Sequence, residues 1–419
     1  MERPPRVVVI AKGSRGDVQP VAALALQLQE HARGARVLVL TNQGTEGFVR
    51  SFSLEAEAYP WEADPARDVR AETVEEVLEV VSPSWATGEE PRAIFSKARC
   101  FAPSLVLYKR FNVLEGLVLA EQLGVPAVEY GFCPDSAVLP QGADGAEFRL
   151  RLVARKRKFL DRFLGARTLP DLTVEALRRR PPLLLAASGL VAGPEPGLRA
   201  TGFWVLGQEL ESRQFRLGSP LFGGGARKQL EAFLALGPPP VCIGWGSMFA
   251  VSRSFMGHLA VRALKMLGER GVILGGDAAL EAGVLQGSAD SKELQAYARD
   301  HVLWVQWAPH EWLMPRCHAT VHHGGCGTTA AALRAGKPTV ITPVGFDQFY
   351  WGRQVERRGV GMMTAPLGSL TAAGLTDALR GCRSQGTAAK AAALGERLRA
   401  EDGAGEAARW LLAHAAGAA

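Results

Sequence analysis

The segment ATVHHGGCGTTAAALRAGKPTVITP (319–343) holds the residues best suited to chemistry: an apolar run ends at His322 and His323, and a glycine-rich stretch opens a helix near Thr328. A helix start leaves backbone N–H groups unpaired at the positive end of the dipole. Gly325 and Gly327 let a ligand approach there, and the Thr328 and Thr329 hydroxyls add donors. This combination suits a phosphate or pyrophosphate, the plainer alternative being a tight turn with its N-cap. Downstream, Asp347 and Gln348 in GFDQFYWG (345–352) pair an acid with an amide, as sugar hydroxyls require or as a surface turn carries. Upstream, Trp307 and His310 follow VLWVQ, and an indole there can stack on a flat base or fill a core. Asp17, in KGSRGDVQP (12–20), follows the first apolar run and reads equally as a general base or a helix cap. His318, His322 and His323 suggest a metal, but strand residues four apart lie about 13 Å from one another and no carboxylate accompanies them. No D-x-D acid pair is present to hold a divalent ion, so the expectation is no metal and no other cofactor.

These residues need strands and loops to position them. RVVVIA, the loop, VAALALQLQEHARG and RVLVLT read as strand, loop, helix, strand, with both strands buried. Pro20 and Gly34 bracket the helix near residues 20–33, and the same grammar returns over 103–131. Turn formers without periodicity fill 211–225, and a second series of apolar runs begins at PPPVCIGWGSM (238–248). The expected layout is an α/β N-terminal domain over 1–210, a linker over 211–225, and a second domain over 226–387. An Ala-rich helix over 388–419 then packs back on the first domain. Two such halves imply a cleft, with ligands beyond the carboxyl ends of the strands.

Composition narrows the class further. A chain of 419 residues with 47% hydrophobic and 21% charged residues is globular and of two to three domains. Six cysteines without a C-x-x-C pair point to reduced thiols and a cytoplasmic setting. The run Val7 to Ala11 stops at Lys12, short of a signal-peptide core, and no stretch reaches the ~18 apolar residues of a membrane span. The net charge of +6 is concentrated in 151–180, which carries +7 by itself, so no nucleic-acid partner is expected. Within 147–164, Phe148, Leu152, Phe159 and Phe163 form one stripe, with Arg151, Arg155, Arg157 and Arg162 mainly elsewhere. The pattern suits peripheral contact with an anionic membrane, or an ordinary solvated helix. Dinucleotide binding is disfavoured because only Gly13 and Gly16 follow the first strand and Thr41–Asn42 replace the ribose-binding acid. No G-x-x-x-x-G-K-[ST] occurs, and Ser14 and Ser247 each lack a flanking glycine of G-x-S-x-G.

Taken together, WAPHEWLMPRCHATVHHGGCGTTAAALRAGKPTVITPVGFDQFYWG (307–352), GSRGDVQP (13–20), PVCIGWGSM (240–248) and TGFWVLG (201–207) resemble the nucleotide-sugar glycosyltransferases of the GT-B fold, most of all the sterol 3β-glucosyltransferases and antibiotic glycosyltransferases. The resemblance runs from the first strand to about Gly361. It implies two Rossmann-like parallel-sheet domains facing across a cleft, and inverting transfer of a hexose, glucose by analogy, from a UDP-sugar to a hydroxyl of a lipophilic acceptor. A sterol is the first expectation for that acceptor, a polyketide, macrolide or phenolic compound the second. In this likeness Trp307 stacks on uracil, and His310 sits near the base and ribose. His323, Gly325, Gly327, Thr328, Thr329, Ser247 and Ser14 hold the donor's phosphates, and Asp347 and Gln348 its sugar. Asp17 becomes the general base, and Trp85, Tyr130 and Phe132 are candidates for the acceptor slot. Three departures stand out: Ala331 replaces a ribose-binding glutamate of plant members, VGFDQ replaces F-F-G-D-Q, and Lys109 replaces an aspartate that orients the base, a partner that Asp17 is not expected to require. An epimerase or a non-catalytic UDP-sugar-binding module shares the fold and is the alternative from another class.

Overall fold

The computed structural model describes residues 4–60, 89–139, 144–164 and 183–417. Trp85 and the segment 165–182 lie outside the described residues, as do the side chains of Arg155, Arg157, Phe159, Arg162 and Phe163. The chain forms two compact units, one of Met1–Val205 with Glu401–Ala419, the other Leu206–Ala400.

The first unit holds a seven-stranded sheet in the order β3-β2-β1-β4-β5-β6-β7. Its strands are β1 (Arg6–Ala11), β2 (Arg36–Asn42), β3 (Glu55–Tyr59), β4 (Leu105–Lys109), β5 (Ala127–Gly131), β6 (Leu183–Leu185) and β7 (Leu198–Ala200). All neighbours pair in parallel. The continuous apolar runs follow from this, because helices cover both faces of a parallel sheet and Val7 to Ala11 are fully buried. The Arg15–His31 helix begins with Ser14 as N-cap in a capping box with Asp17.

The second unit holds a six-stranded parallel sheet, β10-β9-β8-β11-β12-β13. Here the strands are β8 (Val241–Gly244), β9 (Gly271–Leu274), β10 (Val302–Val305), β11 (Ala319–His322), β12 (Thr339–Ile341) and β13 (Gly361–Met363). In both sheets the strand order reverses once near the middle, between β1 and β4 and between β8 and β11. At such switch points the loops diverge to opposite faces and open a crevice beyond the carboxyl ends.

Three segments differ from their sequence reading. Residues 211–225, expected as a linker, belong to the second unit: 211–216 complete the Gln208–Arg216 helix, whose Phe215 is buried beside Leu230, Leu313 and Met314, and two short 3-10 helices follow at Pro220–Phe222 and Gly224–Ala226. The stretch 388–419 is divided between two helices. Gln385–Arg399 packs on the Cys326–Arg334 helix, with Arg334 donating to the Leu398 carbonyl at 2.8 Å, whereas Gly403–Gly417 packs on Arg15–His31. The Gly145–Leu164 helix directs Phe148 and Leu152 into the first unit's core, so that part of the stripe is unavailable to a membrane. Lys156 on the same helix is also buried, paired with Glu115 at 2.6 Å. A core-facing helix and a membrane-facing one have the same 3.6-residue periodicity, and only the partner distinguishes them. Among the described residues no helix is long and apolar enough to cross a membrane.

Candidate functional site

The candidate residues fall into two groups, one at each switch point. In the first unit, Asp17 occupies the third position of its helix and folds back on the turn after β1. Its Oδ2 accepts hydrogen bonds from the Ser14 N–H at 2.8 Å and the Ser14 hydroxyl at 3.2 Å. Gly13 makes room for this: at φ +136°, a Cβ there would lie 2.1 Å from Asp17 Oδ2. The other carboxylate oxygen, Oδ1, accepts from Lys109 Nζ at 2.5 Å. Lys109 ends β4, one residue beyond the Ile10–Tyr108 pair, so the sheet register carries its ammonium to the end of β1. The sequence reading left Asp17 without a partner; the pair spans 92 residues, and its one signal was a lysine closing the apolar run LVLYK. Ser14 therefore serves Asp17 directly, as its cap and hydrogen-bond donor.

Two acceptor candidates are placed by the same sheet. Tyr130 is fully buried and donates its hydroxyl to the Ile10 carbonyl at 3.0 Å, which makes it core rather than the wall of a slot. Phe132 is almost as buried, with Lys109 Nζ 4.8 Å from its ring centroid.

In the second unit, the loops after β8, β11 and β12 are neighbours because their strands are. Trp245 Nε1 donates to Thr342 Oγ1 at 2.8 Å, tying the β8 loop to the end of β12. The next residue, Gly246, lies against the loop after β11, where a Cβ on it would be 3.3 Å from His323 Cε1, and Ser247 follows it. Gly325 caps the Cys326–Arg334 helix, and a Cβ there would lie 2.5 Å from His323 Nε2. Thr329 N–H donates to the Gly325 carbonyl at 2.9 Å, which leaves the amides before it, at Gly327 and Thr328, among the helix's unpaired donors. Two buried polar atoms at this helix start have no hydrogen-bond partner, His323 Nδ1 and Thr329 Oγ1. A buried unpaired polar group costs about 1–3 kcal/mol, so a cluster of them marks a place where a ligand completes the bonding.

Burial, with His310 nearby, pushes the His323 imidazole down to about 4, so it is neutral at pH 7. His322 is a different kind of residue. Its Nδ1 accepts from the Gly324 N–H at 3.1 Å, which puts the proton on Nε2, 2.9 Å from Thr339 Oγ1. His318 turns to Glu269 at 2.7 Å. The three histidines thus share no common centre, and among the described residues no three His, Cys, Asp or Glu side chains form a metal-holding group.

The remaining donor candidates line the same edge. Asp347 Oδ2 accepts from Trp351 Nε1 at 2.8 Å, and Gln348 Oε1 accepts from the N–H groups of Val344 at 2.7 Å and Gly345 at 3.1 Å. Gln348 presses on the β11 loop, where a Cβ on Gly324 would meet its backbone oxygen at 3.1 Å. Phe346, just before this pair, is 49% exposed at φ +55°, a conformation that favours glycine. Trp307 and His310 follow β10 at the sheet edge, half-buried. Glu311, next to His310, pairs with Arg334 at 3.0 Å and fastens this segment to the Cys326–Arg334 helix. Ala331 is buried in the core.

Two doubly wound parallel sheets, the second presenting a glycine-rich helix start at its switch point, are the architecture of the GT-B fold. Residues 273–409 match the family described as erythromycin biosynthesis protein CIII-like, C-terminal domain. It is 28% identical to a sterol 3-beta-glucosyltransferase of Arabidopsis thaliana over 98% of its own length, and spans 66% of that relative. It is 29% identical to the O-mycaminosyltylonolide 6-deoxyallosyltransferase of Streptomyces fradiae, over 95% of this chain and 94% of that protein. The solved glycosyltransferase VinC, in complex with dTDP, superposes with a TM-score of 0.66 at 19% identity, over 98% of this chain and all of VinC.

Proposed function

We propose that the chain transfers a hexosyl group, with inversion, from a nucleoside-diphosphate sugar to a hydroxyl of a lipophilic acceptor. The observation that carries this reading is the pair of unpartnered buried atoms, His323 Nδ1 and Thr329 Oγ1, at a helix start with free amides. A pyrophosphate supplies the acceptors they lack, and the helix terminus meets its charge without a cation. Ser247 adds a donor from the β8 loop, Trp307 and His310 take the base, and Asp347 with the Gln348 amide NH2 takes the sugar. UDP-glucose is the donor by likeness to the sterol enzymes.

In the reaction, the acceptor oxygen forms a bond to the anomeric carbon while the bond from that carbon to the phosphate oxygen breaks. The nucleoside diphosphate leaves with the electron pair. The hydroxyl proton passes to Asp17 and from there to solvent. A carboxylate is a weak base for an alcohol, so proton transfer is late and concerted with attack. The rate enhancement then rests on orientation and on stabilising the departing diphosphate.

A sterol is the first candidate acceptor. A macrolide or other polyketide aglycone is the second reading, favoured by the likeness to the Streptomyces fradiae protein over nearly its whole length. The test is UDP release from UDP-glucose with sterols, phenolics and macrolide aglycones, in EDTA, repeated with Asp17→Asn. Acceptor-dependent release that survives EDTA and collapses in the variant supports the proposal. Turnover of the donor without an acceptor turns the reading to an epimerase, and binding without turnover turns it to a binding module.

A further inference from the structure

We propose that Lys109 is a positioning residue for the Asp17 carboxylate, an inference that rests on the reading of Asp17 as the base. An ionised carboxylate offers about four lone-pair sites. Three of them at Asp17 are taken: two on Oδ2 by the Ser14 N–H and hydroxyl, and one on Oδ1 by Lys109 Nζ. The one left, on Oδ1, is where an acceptor hydroxyl binds. Lys109 fixes the direction of that site.

The ammonium is itself held. It also donates to the Lys12 carbonyl at 3.2 Å and lies against the face of Phe132. Lys12, the other lysine at this switch point, is drawn away to Glu90 at 2.8 Å. Lys109 and Asp17 are 17% and 29% exposed, so the pair is only partly screened. Without Lys109 the carboxylate is anchored on one oxygen alone and rotates.

The experiment compares Lys109→Met, Lys109→Arg and Asp17→Asn for UDP release from UDP-glucose with the acceptor panel, with melting temperatures to confirm folding. Lys109→Met is expected to lower kcat about 10- to 100-fold with donor KM within about twofold, as a misplaced catalytic group does. Lys109→Arg restores most of kcat. A Lys109→Met protein with wild-type kcat, while D17N is inactive, overturns the inference and leaves the base reading standing. A fully active D17N overturns the base reading, and the positioning role with it.

Discussion

The two switch points are built on the same topology and finished in opposite ways. At β1 and β4 the groups around the carboxylate bond one another, Ser14 and Lys109 both donating to Asp17, although Arg110 Nε and the Asn112 amide just beyond β4 have no hydrogen-bond partner. At β8 and β11, His323 and Thr329 carry buried atoms without partners beside free helix amides. The first arrangement holds a charged side chain still before any substrate arrives. The second is incomplete by itself, and under the proposed function an anion supplies what it lacks. A base must be aimed in advance, whereas a pyrophosphate brings its own acceptors.

Substitutions separate the two. The largest expected effect is Asp17→Asn, which lowers turnover about 10²- to 10⁴-fold, the usual range for loss of a general base, while calorimetry shows UDP affinity unchanged. Weaker UDP binding in this variant would break the division of labour. Gly13→Ala comes next, because its methyl group would overlap the Asp17 carboxylate at a backbone angle that disfavours a side chain. Turnover falls toward the Asp17→Asn level, and the melting temperature drops by the few degrees that about 1–3 kcal/mol of local strain produces.

Thr329→Val gives a smaller effect of opposite pattern. It removes a buried hydroxyl that has no partner in the free protein, so the free protein keeps or gains stability. UDP binding weakens about tenfold with loss of a hydrogen bond to a charged group, read by titration calorimetry. A stability loss above about 1 kcal/mol would instead mean that the hydroxyl has a structural partner.

The smallest effect is in pH. The His323 imidazole is depressed to about 4 in the fold against 6.5 in the unfolded chain. Between those values the unfolded state binds the extra proton, so stability falls as pH drops from about 6.5 toward 4 and levels off below it. His322, depressed well below 6.5, adds to the same slope. His323→Gln is expected to flatten part of this slope in thermal melts, and a bound diphosphate, by favouring the protonated imidazole, makes UDP affinity rise as pH falls through the window.

Much of this was legible beforehand, and the failures have a common form. Apolar runs such as RVVVIA and ATVH could only be buried parallel strands, and GGCGTT after a strand could only open a helix. The motif residues of the second unit lie within 307–352 and on the β8 loop, so local order alone gathered most of them. The sequence reading expects Asp17 to require no partner, and Lys109, 92 residues away in the chain, comes near it only through the β1–β4 register. Tyr130 looked like a lining aromatic until the sheet gave its hydroxyl a carbonyl. The Phe148–Leu152 stripe was read correctly as amphipathic, but nothing local says whether protein or lipid covers it.

The sequence by itself determined the two parallel α/β units, the glycine-rich helix start after β11 and the carboxylate after β1. Each of these follows from spacing within a few residues, where backbone geometry leaves little choice. The tertiary structure decided which groups are satisfied: that Asp17 is tied to Lys109, that His322 is occupied while His323 is left open, and that Phe148 and Leu152 belong to the core. Partners are settled by strand order and packing, which join residues far apart in the chain, and no local pattern encodes those distances.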